Sequence, residues 1–463
     1  MLNLNKLHEI IFVMLEILQI KEIDQRLIRS IENMTDPDRV KGVMLDQKSQ
    51  NPDPYWPFER IWNPLSLAEG YPGLLILFAE LNGHNLINAD DVVHQYVLRI
   101  KETIESQGLN PDLSLYNGIA GICFSLHLAS CKRMRYQKML KTLDEYLLRR
   151  IEKQYLEPIR ICLSNETPVM VKLYDPIQGI TGIGRYILEN TSQEAMDCTI
   201  KIIKVLIDLV RPIKVEGKKV PGWYVSGQDP LNYRVQDGLS KGNFNLGLAH
   251  GVTGILAYLS IASIRGIEVE GQKDAINIIA NWLQAKSFVF NESMIWPFYV
   301  SFEKEVNEYD EPSVPSRDAW CYGTPGVARS LYLAGKALGD QGLKLLAKKA
   351  FQGIFRRSFE QWEIPSPILC HGIAGLLAIT QEMANEEDGE DLFEEIEKLK
   401  LLLYSAYQQE AAFGFKDIEP CRRGGQIELD KIGYLEGSVG AILSLLPLSQ
   451  EHSTWKLPLL IHE

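Results

Sequence analysis

Seven times along the 463 residues, a polar lead gives way to Gly-x-x-Gly and then to a run in which nearly every position is apolar. The copies read "AEGYPGLLILF", "YNGIAGICFSL", "YDPIQGITGIGRYIL", "LAHGVTGILAYL", "WCYGTPGVARSLYL", "LCHGIAGLLAI" and "YLEGSVGAILSLL", with leading glycines Gly70, Gly118, Gly179, Gly251, Gly323, Gly372 and Gly437. A run without a polar face predicts a helix enclosed on all sides, and its glycines allow a tight turn and a close neighbour. Between the copies the pattern changes. In "LKLLAKKAFQGIFRR", Leu343, Leu346, Ala347, Ala350, Phe351 and Ile354 share one helical face, while Lys344, Lys348, Lys349 and Arg357 lie off it. That spacing predicts an outer, half-exposed helix.

Successive copies lie 48 to 72 residues apart, which leaves room for two helices and their loops. Each copy therefore reads as a helical hairpin in an all-α fold, arranged as an open superhelix or as a closed ring, an α/α toroid. The first and last copies are as apolar as the middle ones, which favours a closed ring of seven helical hairpins with the glycine loops gathered at one end. Length alone suggests roughly three domains, but such a repeat merges them, and one domain over residues 1–463 is expected. Residues 211–245 and 287–315 break the pattern, alternating apolar and polar positions with aromatics in the manner of short β-hairpins. They read as lips over the ring's mouth or as surface loops covering its rim. The run "EIIFVMLEILQI", residues 9–20, reads as an amphipathic helix.

Composition narrows the class of partner. Hydrophobic residues make up 46% and charged residues 23% of the chain, enough for a large core and too apolar for disorder. A net charge of −12 argues against nucleic acid, which demands a basic field, and suits a basic peptide better. Seven cysteines, an odd number with no signal-peptide pattern ahead of them, suggest a reducing, cytoplasmic compartment rather than a disulfide framework. No run of about 18 uninterrupted apolar residues is present, so no membrane span is expected.

The two positions before each leading glycine form a set of 14, where about half of one Cys or His would fall by chance given seven cysteines and eight histidines. Four occur there: His250, Cys321, Cys370 and His371. They belong to the consecutive fourth, fifth and sixth copies, which a ring sets side by side, and Cys321 and Cys370 occupy the same slot of adjacent copies. Two thiolates and one imidazole make a zinc set with an open fourth position, the mark of a catalytic rather than a structural site. Core packing of free cysteines is the alternative. Zn²⁺ with two thiolates and a neutral imidazole is near net zero, so a substrate thiolate bound there stays electron-rich and nucleophilic, and thiol transfer fits better than hydrolysis. A nicotinamide-dependent reaction on the same ligands would need a strand followed by G-x-G-x-x-G, and "GITGIG" has other spacing.

Further polar groups share this face. His250 suits proton transfer, with Asp175 orienting or charging it; Arg317 or Tyr322 would stabilise a developing oxyanion. Asp175 before Pro176 also reads as a helix-start turn, and Tyr322 as a packed ring. Glu69, Asn117, Gln178 and Glu436, before glycine in the other copies, read as loop caps, and "CRRGG" at 421–425 as a solvated loop or a contact for a peptide carboxylate.

Taken together, "SRDAWCYGTPG", "LCHGIAGL", "GLAHGVTG", "LYDPIQGITG" and "GYLEGSVG" resemble the lanthionine synthetase C-like family, and within it the bacterial class I lanthipeptide cyclases. The resemblance runs from near residue 65 to near 445. It implies an α/α toroid holding one zinc on Cys321, Cys370 and His371, with acid/base positions at Asp175, His250, Arg317 and Tyr322. The implied reaction adds a peptide cysteine to dehydroalanine or dehydrobutyrine of the same peptide, forming lanthionine and methyllanthionine thioether rings. The implied partners are a dehydrated precursor peptide with its leader, a lanthipeptide dehydratase and an ABC-type exporter, at the inner face of the cell membrane. Eukaryotic relatives with the same zinc motif are associated with glutathione addition to dehydrated residues, and a non-catalytic zinc-binding helical scaffold is a third reading. An α/α-toroid glycosidase or terpenoid cyclase needs converging carboxylates, of which only Asp175 is well placed.

Overall fold

The computed structural model describes residues 23–54, 62–109, 111–131, 134–231, 239–307, 314–387, 389–448 and 454–463. The helix expected at 9–20 lies outside the described residues. Two short helices come first, α1 (Gln25–Glu32) and α2 (Pro37–Met44). Inner and outer helices then alternate. The first three pairs are α3 (Tyr71–Gly83) with α4 (Asp90–Gln107), α5 (Ile119–Ala129) with α6 (Gln137–Ile151), and α7 (Ile180–Ile187) with α8 (Gln193–Val210). Next come α9 (Val252–Ile264) with α10 (Gln272–Lys286), α11 (Thr324–Leu338) with α12 (Gln341–Ile354), and α13 (Ile373–Ala384) with α14 (Phe393–Ser405), before a last inner helix, α15 (Ser438–Leu445).

All seven leading glycines are N-caps of inner helices. In α13 every residue is buried, as the absence of a polar face requires, whereas α12 buries Leu343, Ala347, Ala350, Phe351, Gly353 and Ile354 and leaves Leu345 exposed. Each inner helix packs on the next, and α15 packs on α3, so the ring is closed and the fold is an α/α toroid. The seventh outer position is filled from the other end of the sequence. There α2 packs on α4, Arg26 of α1 lies 4.3 Å above the Tyr404 ring of α14, and Tyr71 and Tyr96 donate their hydroxyls to the carbonyls of Pro37 and Met34.

The second glycine of each phrase explains the spacing of the ring. A Cβ built there would fall 2.4 to 3.2 Å from the residue that stands three before the leading glycine of the preceding copy. Gly121 lies on Leu67 in this way, Gly326 on Leu248, Gly375 on Trp320, and Gly73 of the first copy on Tyr434 of the last. The loops are joined as well, by backbone bonds between equivalent residues of neighbouring copies. Ala249 donates to Cys321, Cys321 to Cys370, Cys370 to Leu435, Leu435 to Ala68 and Ala68 to Tyr116, at 2.9 to 3.2 Å.

Strands decorate this ring. The hairpin β1 (Ile213–Val215) and β2 (Lys218–Val220) lies in the first segment expected to be extended, and β4 (Phe288–Phe290) and β5 (Ser293–Ile295) in the second. The segments also pair with each other, β3 (Asn243–Asn245) antiparallel to β6 (Tyr299–Ser301), with Asn245 opposite Tyr299. A fourth pair, β7 (Asp417–Pro420) and β8 (Gln426–Leu429), is turned by "CRRGG", whose Gly424 and Gly425 have positive φ.

Residues 454–463 fill the centre of the ring. Trp320, Tyr116 and Tyr434 donate to the carbonyls of Leu459, Pro458 and Trp455 at 2.8, 2.8 and 2.6 Å. Buried Glu382 of α13 binds Lys456 and His462 at 2.9 and 2.8 Å, and Arg329 of α11 donates to the Ile461 carbonyl at 2.7 Å. Burial pushes the Glu382 carboxyl up, but Lys456, His462 and Arg329 together hold it well below its ordinary value.

Two outcomes follow for stability. Gly121→Ala sets a Cβ 2.1 Å from the Leu115 carbonyl and costs on the order of 1–3 kcal/mol, lowering the melting temperature; Gly42→Ala, on an open face of α2, raises it through a gain of about 0.5–1 kcal/mol. Because the Glu382 carboxyl is depressed in the fold, its contribution is present above the ordinary glutamate value of 4.5 and is lost as pH falls. Melting curves of Glu382→Gln will therefore fall below those of the unsubstituted protein at neutral pH, and the difference will shrink in acid.

Candidate active site

The backbone bond from Cys321 to the carbonyl of Cys370 brings the two cysteines of the fifth and sixth loops side by side. Their loop is tight: Gly323 has φ +99°, and a Cβ there would fall 1.8 Å from the Arg317 carbonyl. Cys321 is buried and Cys370 half-buried, and their side chains stand within hydrogen-bonding reach of each other. That bond from Cys370, opposed by burial and helped by the Arg317 charge, draws the Cys321 thiol below its ordinary 9.0. Cys370 is pushed well above it by the same bond and by burial.

His371 follows Cys370 at the start of α13 and is about a quarter exposed, its Nε2 3.8 Å from Oδ1 of Asp417 on β7. Buried Asp417 accepts from Ser366 Oγ at 2.8 Å and faces Lys431 Nζ at 3.4 Å. Burial pushes the Lys431 ammonium down, yet Asp417, Glu436 and Glu419 hold it above its ordinary value. Glu436, expected as a loop cap, is thus close enough to influence Lys431, and its charge also helps raise Cys370. Among the described residues no three His, Cys, Asp or Glu side chains are grouped so as to hold a metal ion as they stand. The soft donors fit one in kind, since the two cysteines stand side by side and an imidazole is the next residue in the chain.

The fourth loop lies against the fifth, because Ala249 donates to the Cys321 carbonyl at 3.2 Å. Next to Ala249, His250 is 17% exposed and its Nδ1 lies 2.6 Å from Oδ2 of Asp175, which is 1% exposed. The other oxygen of Asp175 accepts from the backbone of Gln178 and Gly179 at 2.7 and 2.9 Å. The helix-start turn and the histidine partner are therefore the same carboxylate, one oxygen serving each. A carboxylate on Nδ1 fixes the neutral tautomer with its proton there, so Nε2 is the basic nitrogen offered to a substrate.

Tyr322 and Arg317 meet on Phe298, which sequence reasoning passed over. The Tyr322 ring lies 5.2 Å from that of Phe298, and the Arg317 guanidinium 5.7 Å from it. Asn245, also missed, donates to the Tyr322 hydroxyl at 3.1 Å, and Gly247 leaves the space the Tyr322 ring occupies. Both missed residues come from the paired segments around β3 and β6, where no repeat marks them. All seven residues expected at the site thus belong to the loops at one end of the ring. Chemically the site offers a pair of neighbouring thiols, a carboxylate-held imidazole and a guanidinium.

Residues 61–460 match the family model described as lanthionine synthetase C-like protein. Nisin biosynthesis protein NisC of Lactococcus lactis subsp. lactis is 28% identical over 358 residues, 76% of this chain and 82% of that protein. Among solved structures, nisin cyclase superposes with a TM-score of 0.73 at 24% identity, covering 95% of this chain and 98% of that one.

The opposite shifts of the two thiols have a measurable consequence. In metal-free protein, ultraviolet absorbance titration will find one thiolate forming below the ordinary cysteine range. Cys370→Ala removes the donated S–H and will move that titration upward; an unchanged curve would show that the bond contributes nothing.

Proposed function

The chain belongs to the lanthionine synthetase C-like family, and on that footing we propose that it is a lanthipeptide cyclase, a lanthionine synthetase acting on a dehydrated precursor peptide. The observation that carries the reading is the thiol pair of Cys321 and Cys370, beside His371 in one loop and the His250–Asp175 pair in the next. In this reading zinc is held by Cys321, Cys370 and His371, and the ring with its strand insertions at 211–245 and 287–315 works as one domain. Zinc, when bound, lowers the pKa of a cysteine thiol while leaving its sulfur nucleophilic.

The chain's own residues supply the rest. The neutral Nε2 of His250 takes the proton released from the peptide cysteine, and Asp175 stabilises the imidazolium. A carbon–sulfur bond forms at the β-carbon of dehydroalanine or dehydrobutyrine, and the electron pair of the double bond moves onto the neighbouring carbonyl as an enolate. Arg317, held over Phe298, and Tyr322, oriented by Asn245, bind that oxygen. His250 returns its proton to the α-carbon, so peptide mass is unchanged. The charge of −12 favours a basic peptide with its leader. No helix of the described residues is long and apolar enough to cross a membrane; we place the enzyme in the cytoplasm beside a lanthipeptide dehydratase and an ABC-type exporter at the inner face of the cell membrane.

Incubation with a dehydrated, cysteine-containing precursor, followed by alkylation and mass analysis, tests this. Free thiols will disappear without a change of mass, and chelation will stop the loss. Thiol counts that stay constant would sink the proposal, and a glutathione-sized mass gain would favour intermolecular addition. Cys370→Ala will lose both metal and turnover. His250→Ala will keep the metal and lose about 100-fold or more in rate.

A further inference from the structure

We infer that Asp417 is the positioning residue of His371: its carboxylate accepts the Nε2 proton of the imidazole and so commits Nδ1 to the metal. The inference rests on the zinc reading above and adds to it a residue from a hairpin that lies outside the seven phrases.

Asp417 is built into its place from three sides. Ser366 Oγ donates to its Oδ1 at 2.8 Å, and that hydroxyl is itself held by the backbone N–H of Ile418 at 3.2 Å. The Ser366 carbonyl accepts from Ile373 N at 2.9 Å, which ties the serine to the first turn of α13, directly after the Cys370–His371 loop. Lys431 faces Oδ2 at 3.4 Å while also binding Glu419. With all this, Asp417 is 1% exposed and its Oδ2 accepts no hydrogen bond among the described residues. Oδ1 keeps a second lone pair beyond the one that Ser366 meets, and the His371 ring is turned so that Nε2 lies 3.8 Å from that oxygen.

That orientation decides the tautomer. A carboxylate on Nε2 keeps the proton there, leaving the lone pair on Nδ1, the ring nitrogen nearer the backbone. The 3.8 Å separation is longer than a hydrogen bond; it shortens when a ligand on Nδ1 fixes the ring. Held this way the imidazole is a stronger donor and loses less freedom on binding, which is the usual effect of a carboxylate behind a metal-bound histidine. Asp417 touches neither peptide nor metal.

The test titrates the full chain, stripped of metal, with zinc alone against a chromogenic chelator. Asp417→Asn, which keeps the shape, and Asp417→Ala will weaken zinc by about 10- to 100-fold, and Asp417→Glu will recover part of the loss. Melting of the metal-free proteins checks that each variant is folded. Nitrogen-15 spectra of the zinc-loaded protein will show the metal-bound shift on Nδ1 of His371. Affinity in Asp417→Asn within about twofold of the unsubstituted chain, or ligation through Nε2, overturns the inference while zinc binding itself stands. If instead the unsubstituted chain binds no zinc, or Cys370→Ala binds it equally well, the zinc reading fails and this inference falls with it.

Discussion

A side chain cannot be added to the second glycine of any of the seven phrases without meeting the copy before it. Inner helices are therefore drawn closer together than helices bearing side chains at the contact allow, and the loops in front of them come within reach of backbone hydrogen bonds. The bonds that run from Ala249 through Cys321, Cys370, Leu435 and Ala68 to Tyr116 depend on that spacing. So does the site, because Cys321 and Cys370 are successive members of this belt. The face that carries the candidate site is a by-product of how the ring closes, and its chemical character depends on which residue stands in each equivalent slot.

This explains why some of the molecule was legible in the sequence. The phrases are visible because enclosure removes the polar face of each inner helix, and the equivalence of Cys321 and Cys370 is visible because the slot is counted from a glycine. What escaped notice sits where no repeat supplies a coordinate. Phe298 and Asn245 reach Tyr322 only because β3 pairs with β6, and Asp417 reaches the His371 loop only through the β7–β8 hairpin. The β3–β6 pairing joins residues more than 50 positions apart, and Asp417 stands 46 residues after His371, without local periodicity to announce either. The seventh outer position was hidden for a related reason: α1 and α2 are short and stand before the first phrase, although they complete the last.

The charges divide between two ends of the problem. On the loop side, the Cys370 side chain and the Arg317 charge draw the Cys321 thiol below its ordinary value, while the negative charges of Asp417 and Glu436 are balanced by Lys431. On the inner side, Glu382 gathers Lys456 and His462 around one carboxylate, with Arg329 close by, and holds the central segment in place. The two clusters are joined through Trp320, whose indole is anchored on Leu459 and whose neighbour in the chain is Cys321.

That anchoring sets an order of assembly. Residues 454–463 leave a ribosome after every inner helix has emerged, yet the indole of Trp320 and the hydroxyls of Tyr116 and Tyr434 find their acceptors only there. Each such donor left buried and unmet costs about 1–3 kcal/mol. A nascent chain that already carries every cysteine and histidine of the site still lacks the floor on which Cys321 rests. The loop face is thus among the last parts of the molecule to become rigid, and a product that stops before residue 454 would hold the whole motif without the acceptors at Trp455, Pro458 and Leu459.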